Sequence, residues 1–285
     1  MKNIILSIIS IIFTFLIVFN YNKINICIIE SCNLFLHKIF PSLFCMLLIS
    51  NILIELNLIK YINIPFKYIN NKIFKINENT SYILLVSILS GTPSNTVLAD
   101  TLYNNKLITK SDIQKIILFS HFINPFFIIN NIKYKPLLVL GSHYLSNIII
   151  GILFRNKYIN NYSINIKSNN KTLFNIIFDS IDKIIHTSLF ILGTIITFNI
   201  ISTTLNSSII SSILEFSTAV NYINGLNISN KMNSIICGML LSFGGLCIHM
   251  QVYGILNKIH IKYIPYLISR LLHSLITGLI IFLLY

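Results

Sequence analysis

The sequence predicts an all-α, polytopic membrane protein, and three observations lead to this fold class. Of its 285 residues, 54% are hydrophobic and only 10% are charged, whereas about 25% of the residues of a soluble domain are charged. The mean hydropathy is +0.77. Long apolar runs follow one another along the chain, and two of them are interrupted by glycine and other helix-breaking residues. We therefore expect about six spans and two re-entrant or broken helical hairpins in a single membrane domain, residues 1–285.

The first half of the chain contains an N-terminal span and one structural repeat. The apolar run in residues 1–22 is long and no small-residue cleavage site follows it, so it predicts a retained span rather than a signal peptide. Repeat one, residues 24–131, begins with a loosely amphipathic segment and a span over residues 39–56. It continues with the first broken segment, Ser81–Tyr103. Residues 134–155 then form a connecting span.

Further local signals divide the rest of the chain. Ser111 and Gln114 fit a capping box, which predicts a helix from there to Asn124-Pro125. Repeat two, residues 172–285, begins with an amphipathic helix that leads into a span. The second broken segment, Ile235–Leu256, and a last span over residues 264–284 complete it.

The two halves resemble each other in sequence, which indicates an internal duplication. Their matching positions occur in the same order, and the later matches share an offset of 152 residues. The matches are Ser42-Leu43-Phe44 with Ser188-Leu189-Phe190, Leu89-Ser90 with Leu241-Ser242, and His121 with His273.

Charge predicts the orientation of the spans. The basic loops Asn57–Asn79 and Arg155–Lys171 are expected in the cytoplasm, and Asn206–Asn230, which has no lysine or arginine, on the other side. Both termini are then cytoplasmic and the repeats are inverted. The net charge of +13 is explained by this topology, so we expect no nucleic-acid partner.

The two interruptions are the predicted substrate site. The first is Gly91-Thr92-Pro93-Ser94-Asn95 and the second contains Ser242, Gly244 and Gly245. A half-length helix that ends in such residues is tolerated only inside protein or beside water. Paired discontinuous helices mark transporter sites, and the start of a half-helix favours an anion. Close helix packing by small residues is the alternative explanation.

Charged residues within the apolar segments are further candidates. Arg270 is the only arginine in a predicted span. Its guanidinium would clamp a carboxylate bidentately or extend to the membrane surface. Glu215 would bind a coupling cation or pair with Lys231, and the pairing is the simpler explanation.

Uncharged polar residues beside the breaks complete the predicted site. The histidines would relay protons or simply pack in the core. The Asn-Pro pair frees a backbone carbonyl, and its amide would reach a solute. These residues are His121, Asn124, Pro125, His249, Gln251 and His273.

Four segments resemble the YlbJ-type sporulation integral membrane proteins, also called stage V sporulation protein V, which are relatives of the "gate" nucleoside-recognition families. They are Ser90–Asn95, Leu118–Ile128, Ser242–Val252 and Arg270–His273. The most specific is Phe-Gly-Gly-x-x-x-His-Met-Gln in residues 243–251. The resemblance covers most of the chain from Ile39 onward.

The resemblance implies a fold similar to concentrative nucleoside transporters and a place in the outer forespore membrane. There the family is thought to pass dipicolinate, a small aromatic dicarboxylate, toward the forespore. A nucleoside or nucleobase transporter on the same scaffold and a non-transporting sporulation scaffold are the alternatives. We expect a small anionic solute and the lipid bilayer as partners, with a homo-oligomer or other sporulation proteins left open. No prosthetic group is expected, and the coupling ion would be H⁺ or Na⁺. An enzyme is not expected, because the sequence has neither an H-E-x-x-H helix nor a G-x-S-x-G elbow.

Overall fold

The computed structural model describes residues 7, 11, 14–56, 58, 61, 70–158, 172–205 and 207–285. Within them all regular structure is helical and no strand occurs, so the predicted all-α class is confirmed there. The predicted N-terminal span, residues 1–22, and the two basic loops fall largely or partly outside the described residues.

Thirteen α-helices occur in the described residues, and the first seven precede the second repeat. These are α1 (Tyr21–Leu34), extended by a π-helical turn (Phe35–Ile39), then α2 (Phe40–Glu55), α3 (Glu78–Ser90), α4 (Ser94–Asn104), α5 (Lys110–Ile116), α6 (Pro125–Asn131) and α7 (Pro136–Leu153). The others are α8 (Leu173–Leu205), α9 (Ser208–Leu214), α10 (Phe216–Gly225), α11 (Asn230–Phe243), α12 (Gly245–Ile255) and α13 (Tyr263–Leu284), with a 3₁₀ turn (Asn257–Ile259) before α13.

Four helical segments are long and apolar enough to cross a bilayer. They are Pro136–Leu153, Leu173–Leu205, Asn230–Ile255 and Tyr263–Leu284. A fifth span results if Tyr21–Ile39 and Leu43–Glu55, which meet at 49°, count as one bent span. The described residues therefore contain four to five candidate spans, and the chain is an integral membrane protein.

Two packing units make up the helical body. In one, α13 packs against both α7 and α11. In the other, α8 packs against α1 and α2. The halves that follow the two breaks, α4 and α12, contact each other and connect the units. Val97 of α4 lies in the smaller apolar core, whereas its neighbour Leu98 lies in the larger one.

The helix start near residue 110 differs from the prediction. The capping box assigned to Ser111 and Gln114 is wrong, because Thr109 and Asp112 form it. The Asp112 carboxylate accepts from the Thr109 N–H at 2.8 Å, and the Thr109 hydroxyl accepts from the Asp112 N–H at 3.2 Å. Gln114 instead bonds both main-chain groups of Lys262, at 2.6 and 3.0 Å. The Gln114 side chain, which the motif predicts to cap the helix, therefore makes a tertiary contact instead.

The helix predicted to continue to Asn124-Pro125 is also wrong. Helix α5 ends at Ile116, and residues 117–124 contain no helix. Carbonyl groups of this connecting segment are satisfied by distant donors instead of by the next helical turn. The pairs are Leu118 with Arg270, Ser120 with Asn95 at 3.0 Å, His121 with Asn147, and Phe122 with the Thr92 N–H at 2.7 Å.

Candidate functional site

The first break is packed against the connecting segment. Helix α3 is followed directly by Gly91, whose φ of +82° is a conformation that favours glycine. A Cβ atom at this position would lie 2.7 Å from the backbone nitrogen of Asn124. Any larger residue would therefore push the break away from the segment that begins α6.

The second break requires glycine at two successive positions. Gly244 and Gly245 have φ values of +89° and +67°. A Cβ atom on Gly244 would lie 2.7 Å from Cε1 of His121, and one on Gly245 would lie 3.0 Å from the carbonyl oxygen of Leu214. This break is therefore enclosed by protein on both sides.

His121 joins the two breaks. Its Nδ1 lies 3.2 Å from the Thr92 hydroxyl of the first break. Its Nε2 lies 3.4 Å from the carbonyl oxygen of Leu241, just before the second break, and its ring faces Gly244. The interruptions thus meet in the protein interior, as the backbone groups freed at such breaks require.

A cavity of about 410 Å³ opens beside the first break. This volume lies within the usual range for small-molecule sites, about 300–1,000 Å³. Among the predicted site residues, those that line it are Thr92, Pro93, Ser94, Asn124 and Gln251. Helix α4 begins at this cavity, which directs the positive end of its dipole toward it.

The cavity lining has an exposed polar side, which we call the mouth, and a buried side, which we call the floor. His37 and Lys38 are exposed at the mouth, whereas Ser94 and Gln251 retain only 1% and 3% of their surface. The Gln251 amide donates to the Thr194 hydroxyl at 3.0 Å, which fixes its orientation. The floor therefore offers positioned hydroxyl and amide groups to a guest.

Glu215 also lines the cavity and is not paired with Lys231 as predicted. Its carboxylate accepts from the Ser217 hydroxyl at 2.5 Å and from the Thr218 N–H at 2.8 Å, which caps α10. Lys231 lies instead 4.3 Å from the ring centre of Phe282. Burial raises the pKa of the Glu215 carboxyl above its ordinary value, although the hydrogen bonds oppose this rise.

Several other predicted residues form a closed cluster next to the cavity. Arg270 and His273 have no exposed surface and do not line the cavity, and the same holds for Ser242. The Arg270 guanidinium donates to the Leu118 carbonyl and lies 2.9 Å from Nδ1 of His273. Arg270 therefore neither extends to the membrane surface nor meets a guest in this conformation.

His143 belongs to this cluster and was missed by the sequence analysis. Its ring stacks on His273 with centroids 4.6 Å apart, and its Nδ1 lies 2.9 Å from the Ser242 hydroxyl. A signal existed in the sequence, because the apolar α7 carries four buried polar residues at helical spacing. They are Ser142, His143, Ser146 and Asn147.

The hydrogen bonds of the cluster fit three neutral histidines. His143 Nε2 accepts from the Ile123 N–H at 3.1 Å, so its proton is on Nδ1. His273 Nε2 lies 2.9 Å from the His143 carbonyl and must donate, while its Nδ1 accepts from Arg270. His121 follows the same pattern between Leu241 and Thr92. All six ring nitrogens therefore have partners, which is typical of a structural network.

The remaining predicted residues lie outside the cavity wall. His249 connects the Phe243 carbonyl, at 3.0 Å, to the Tyr263 hydroxyl, at 2.9 Å. The Asn95 amide donates to Ser120 and so holds the connecting segment. Pro125 is the first residue of α6. These residues position the breaks, as do Gly91, Gly244 and Gly245.

Comparison with known proteins gives one sequence match. The chain is 21% identical over 301 aligned residues to the sporulation integral membrane protein YlbJ of Bacillus subtilis strain 168, with 87% of this chain and 74% of the relative covered. No family model and no solved structure matches the chain. The match supports the assignment of this chain to the YlbJ-type sporulation integral membrane proteins, the family that its four motifs resemble.

Proposed function

We propose that the chain is a sporulation membrane transporter that moves dipicolinate across the outer forespore membrane toward the forespore. The observation that carries this proposal is the cavity at the first break. Thr92 and Ser94 approach it from the start of α4, and Gln251 approaches it from α12. Discontinuous helices that surround a wet cavity are the usual substrate site of secondary transporters.

The chemistry of the cavity suits a flat dicarboxylate. Lys38 and His37 at the mouth would attract an anion, and the start of α4 would favour its carboxylate. Phe127 and Phe216 form an apolar wall with their rings edge to face at 5.2 Å, against which an aromatic ring can pack.

Inverted repeats would supply the motion for alternating access. Two pairs of residues at the repeat offset of 152 meet in the core: Arg270 bonds Leu118, and the rings of His121 and His273 are 6.0 Å apart. Only positions near a two-fold axis contact their own equivalents. We infer six spans arranged as in concentrative nucleoside transporters, with this axis through the histidine cluster.

A nucleoside or nucleobase is the second candidate substrate, and one observation favours it. Arg270, the fixed cation expected for a dicarboxylate, does not line the cavity. Amide and hydroxyl groups, which suit a nucleoside, do line it. Under either proposal the protein is not an enzyme, carries no prosthetic group and couples transport to H⁺ or Na⁺.

Uptake by reconstituted liposomes tests the proposal. We expect labelled dipicolinate, and not uridine, to accumulate in liposomes that contain the protein, and Ser94→Ala to reduce its uptake. Leu275→Ala, at an exposed position of the candidate span α13, is the matched control. Uptake of uridine without uptake of dipicolinate would show that the substrate is a nucleoside instead. If cavity variants harm sporulation no more than Leu275→Ala and neither solute enters, the protein is a non-transporting scaffold.

A further inference from the structure

Glu215 is a buried acid in the wall of a cavity that we propose for an anion. It lies between α9 and α10 and retains 3% of its surface. The second break holds its backbone, since Gly245 is packed against the main chain of Leu214 and Phe216. The carboxyl group is therefore fixed at the edge of the cavity.

An ionised Glu215 would repel a dianion at short range, because charges in a poorly solvated site interact strongly. Among the described residues that line the cavity, no basic side chain lies at the buried floor to pair with Glu215. His37 and Lys38 stand at the exposed mouth, and Cys247 of α12 is the other titratable group of the wall.

The helices packed around Glu215 bring no further charge into the cavity. Helix α9 has no titratable residue, and Tyr222 of α10 is 38% exposed on the outer side. Helix α8 lines the cavity with Ile191 and Ile195 only, and α11 contributes no lining residue. The charge of a bound dianion would therefore face the Glu215 carboxyl directly.

We propose that Glu215 is the proton-binding residue of this transporter, and that it must carry a proton for a dicarboxylate to bind. The Ser217 hydroxyl and the Thr218 N–H both donate to Oε2 of the carboxyl group. A proton on Oε1 removes the repulsion and provides a donor for the guest. One proton then enters with each dianion and leaves with it on the other side, so the protein is a proton–dicarboxylate symporter. This inference rests on the proposed function.

Glu215→Gln is the variant that isolates the proton. Glutamine has nearly the same shape as glutamate. Its single side-chain oxygen can still accept from Ser217 and Thr218, and its amide nitrogen takes the place of the protonated carboxyl oxygen. We expect binding of labelled dipicolinate to the wild-type protein in nanodiscs to weaken about tenfold per pH unit above the pKa of this carboxyl. Glu215→Gln should bind tightly and without pH dependence from pH 5.5 to pH 8.

Two further variants serve as controls. Glu30→Gln removes an exposed carboxyl of α1 outside the cavity lining, and it should keep the wild-type pH profile. His37→Gln removes the exposed histidine of the cavity mouth. If His37→Gln abolishes the pH dependence and Glu215→Gln keeps it, the inference is overturned while transport stands.

Proton uptake provides a measurement that needs no variant. When dipicolinate is added to the wild-type protein in weakly buffered solution, at a pH above the midpoint of its binding profile, we expect uptake of about one proton per bound solute. Binding without proton uptake would overturn the role of Glu215 and leave the proposed function intact. No binding at any pH, by wild type or Glu215→Gln, would instead contradict the proposed function itself, and the inference with it.

Discussion

The cavity and the histidine cluster are neighbours, because His121 of the cluster bonds Thr92 of the cavity wall, and the two regions use similar residues differently. In the cavity, hydroxyl and amide groups of Thr92, Ser94 and Gln251 border open space. In the cluster, the ring nitrogens of three histidines and the guanidinium of Arg270 have partners within the protein. Polar residues near a broken membrane helix can therefore hold the break together or receive a solute, and residue type does not distinguish the two roles.

The largest expected effect is that of Arg270→Ala, in the cluster. It leaves the Leu118 carbonyl and His273 without their donor in a site that has no exposed surface. Leaving a buried hydrogen-bonding group without its partner typically costs about 1–3 kcal/mol, and two groups are affected here, so the thermal midpoint in detergent should fall strongly. Lys258→Ala, at an exposed position, should leave it unchanged. An unchanged midpoint with lost solute binding would place Arg270 in the binding site instead.

Gly244→Ala tests the contact between the second break and the cluster. A left-handed conformation costs a non-glycine residue about 1–2 kcal/mol, and the added methyl group would also collide with His121. We expect a loss of stability of about 2 kcal/mol or more in denaturant titration. Gly193→Ala is the matched control, because nothing lies within 4 Å of its new methyl group. Equal stability of the two variants would contradict the packing described for this break.

Ser94→Ala tests the cavity side of the comparison. Loss of a hydrogen bond to a charged group costs about 1.5–3 kcal/mol, so affinity for dipicolinate should fall about tenfold or more while the thermal midpoint stays the same. Thr197→Ala removes an exposed hydroxyl of α8 and should change neither quantity. If Ser94→Ala instead lowered stability and kept affinity, Ser94 would belong with the structural residues.

Lys115, outside both regions, is expected to make stability depend on pH. Its Nζ donates to the carbonyls of Lys75 and Arg155 at 2.7 and 2.8 Å, and burial lowers its pKa from 10.5 to about 8. Between these two values the unfolded chain binds more protons than the folded protein, so this group makes stability rise with pH. The thermal midpoint of the wild type minus that of Lys115→Met should therefore increase between pH 8 and pH 10. A constant difference would show that Lys115 keeps its ordinary pKa when folded.

Much of the architecture could be predicted because the local pattern of apolar residues indicates where a membrane helix lies. Apolar runs marked α7 and α13, and glycine within such a run marked both breaks, since freed backbone groups cannot face lipid. The segment at 117–124 could not be predicted in this way. Its carbonyls are satisfied by Arg270, Asn95 and Asn147, which are distant in sequence. Such contacts override the local preference for helix.

The candidate site was predicted less completely for a related reason. Most residues of α4 are buried, so the direction of a polar side chain there depends on its neighbours, which a single sequence does not reveal. Ser94 borders the cavity, whereas Asn95, the next residue of α4, donates to Ser120. His143 was missed because polar residues on a connecting span were treated as part of an apolar run.

Thiol accessibility at the two breaks tests most directly whether they meet around a wet cavity with a closed cluster behind it. Thr92→Cys and Ser242→Cys would be made in a background without the five native cysteines and treated with a charged, water-soluble thiol reagent in nanodiscs. Thr92 lines the cavity and is half-buried, whereas Ser242 has no exposed surface. The account predicts rapid labelling of Thr92→Cys, slowed by dipicolinate, and no labelling of Ser242→Cys in the folded protein. Rapid labelling of Ser242→Cys together with an unreactive Thr92→Cys would contradict it.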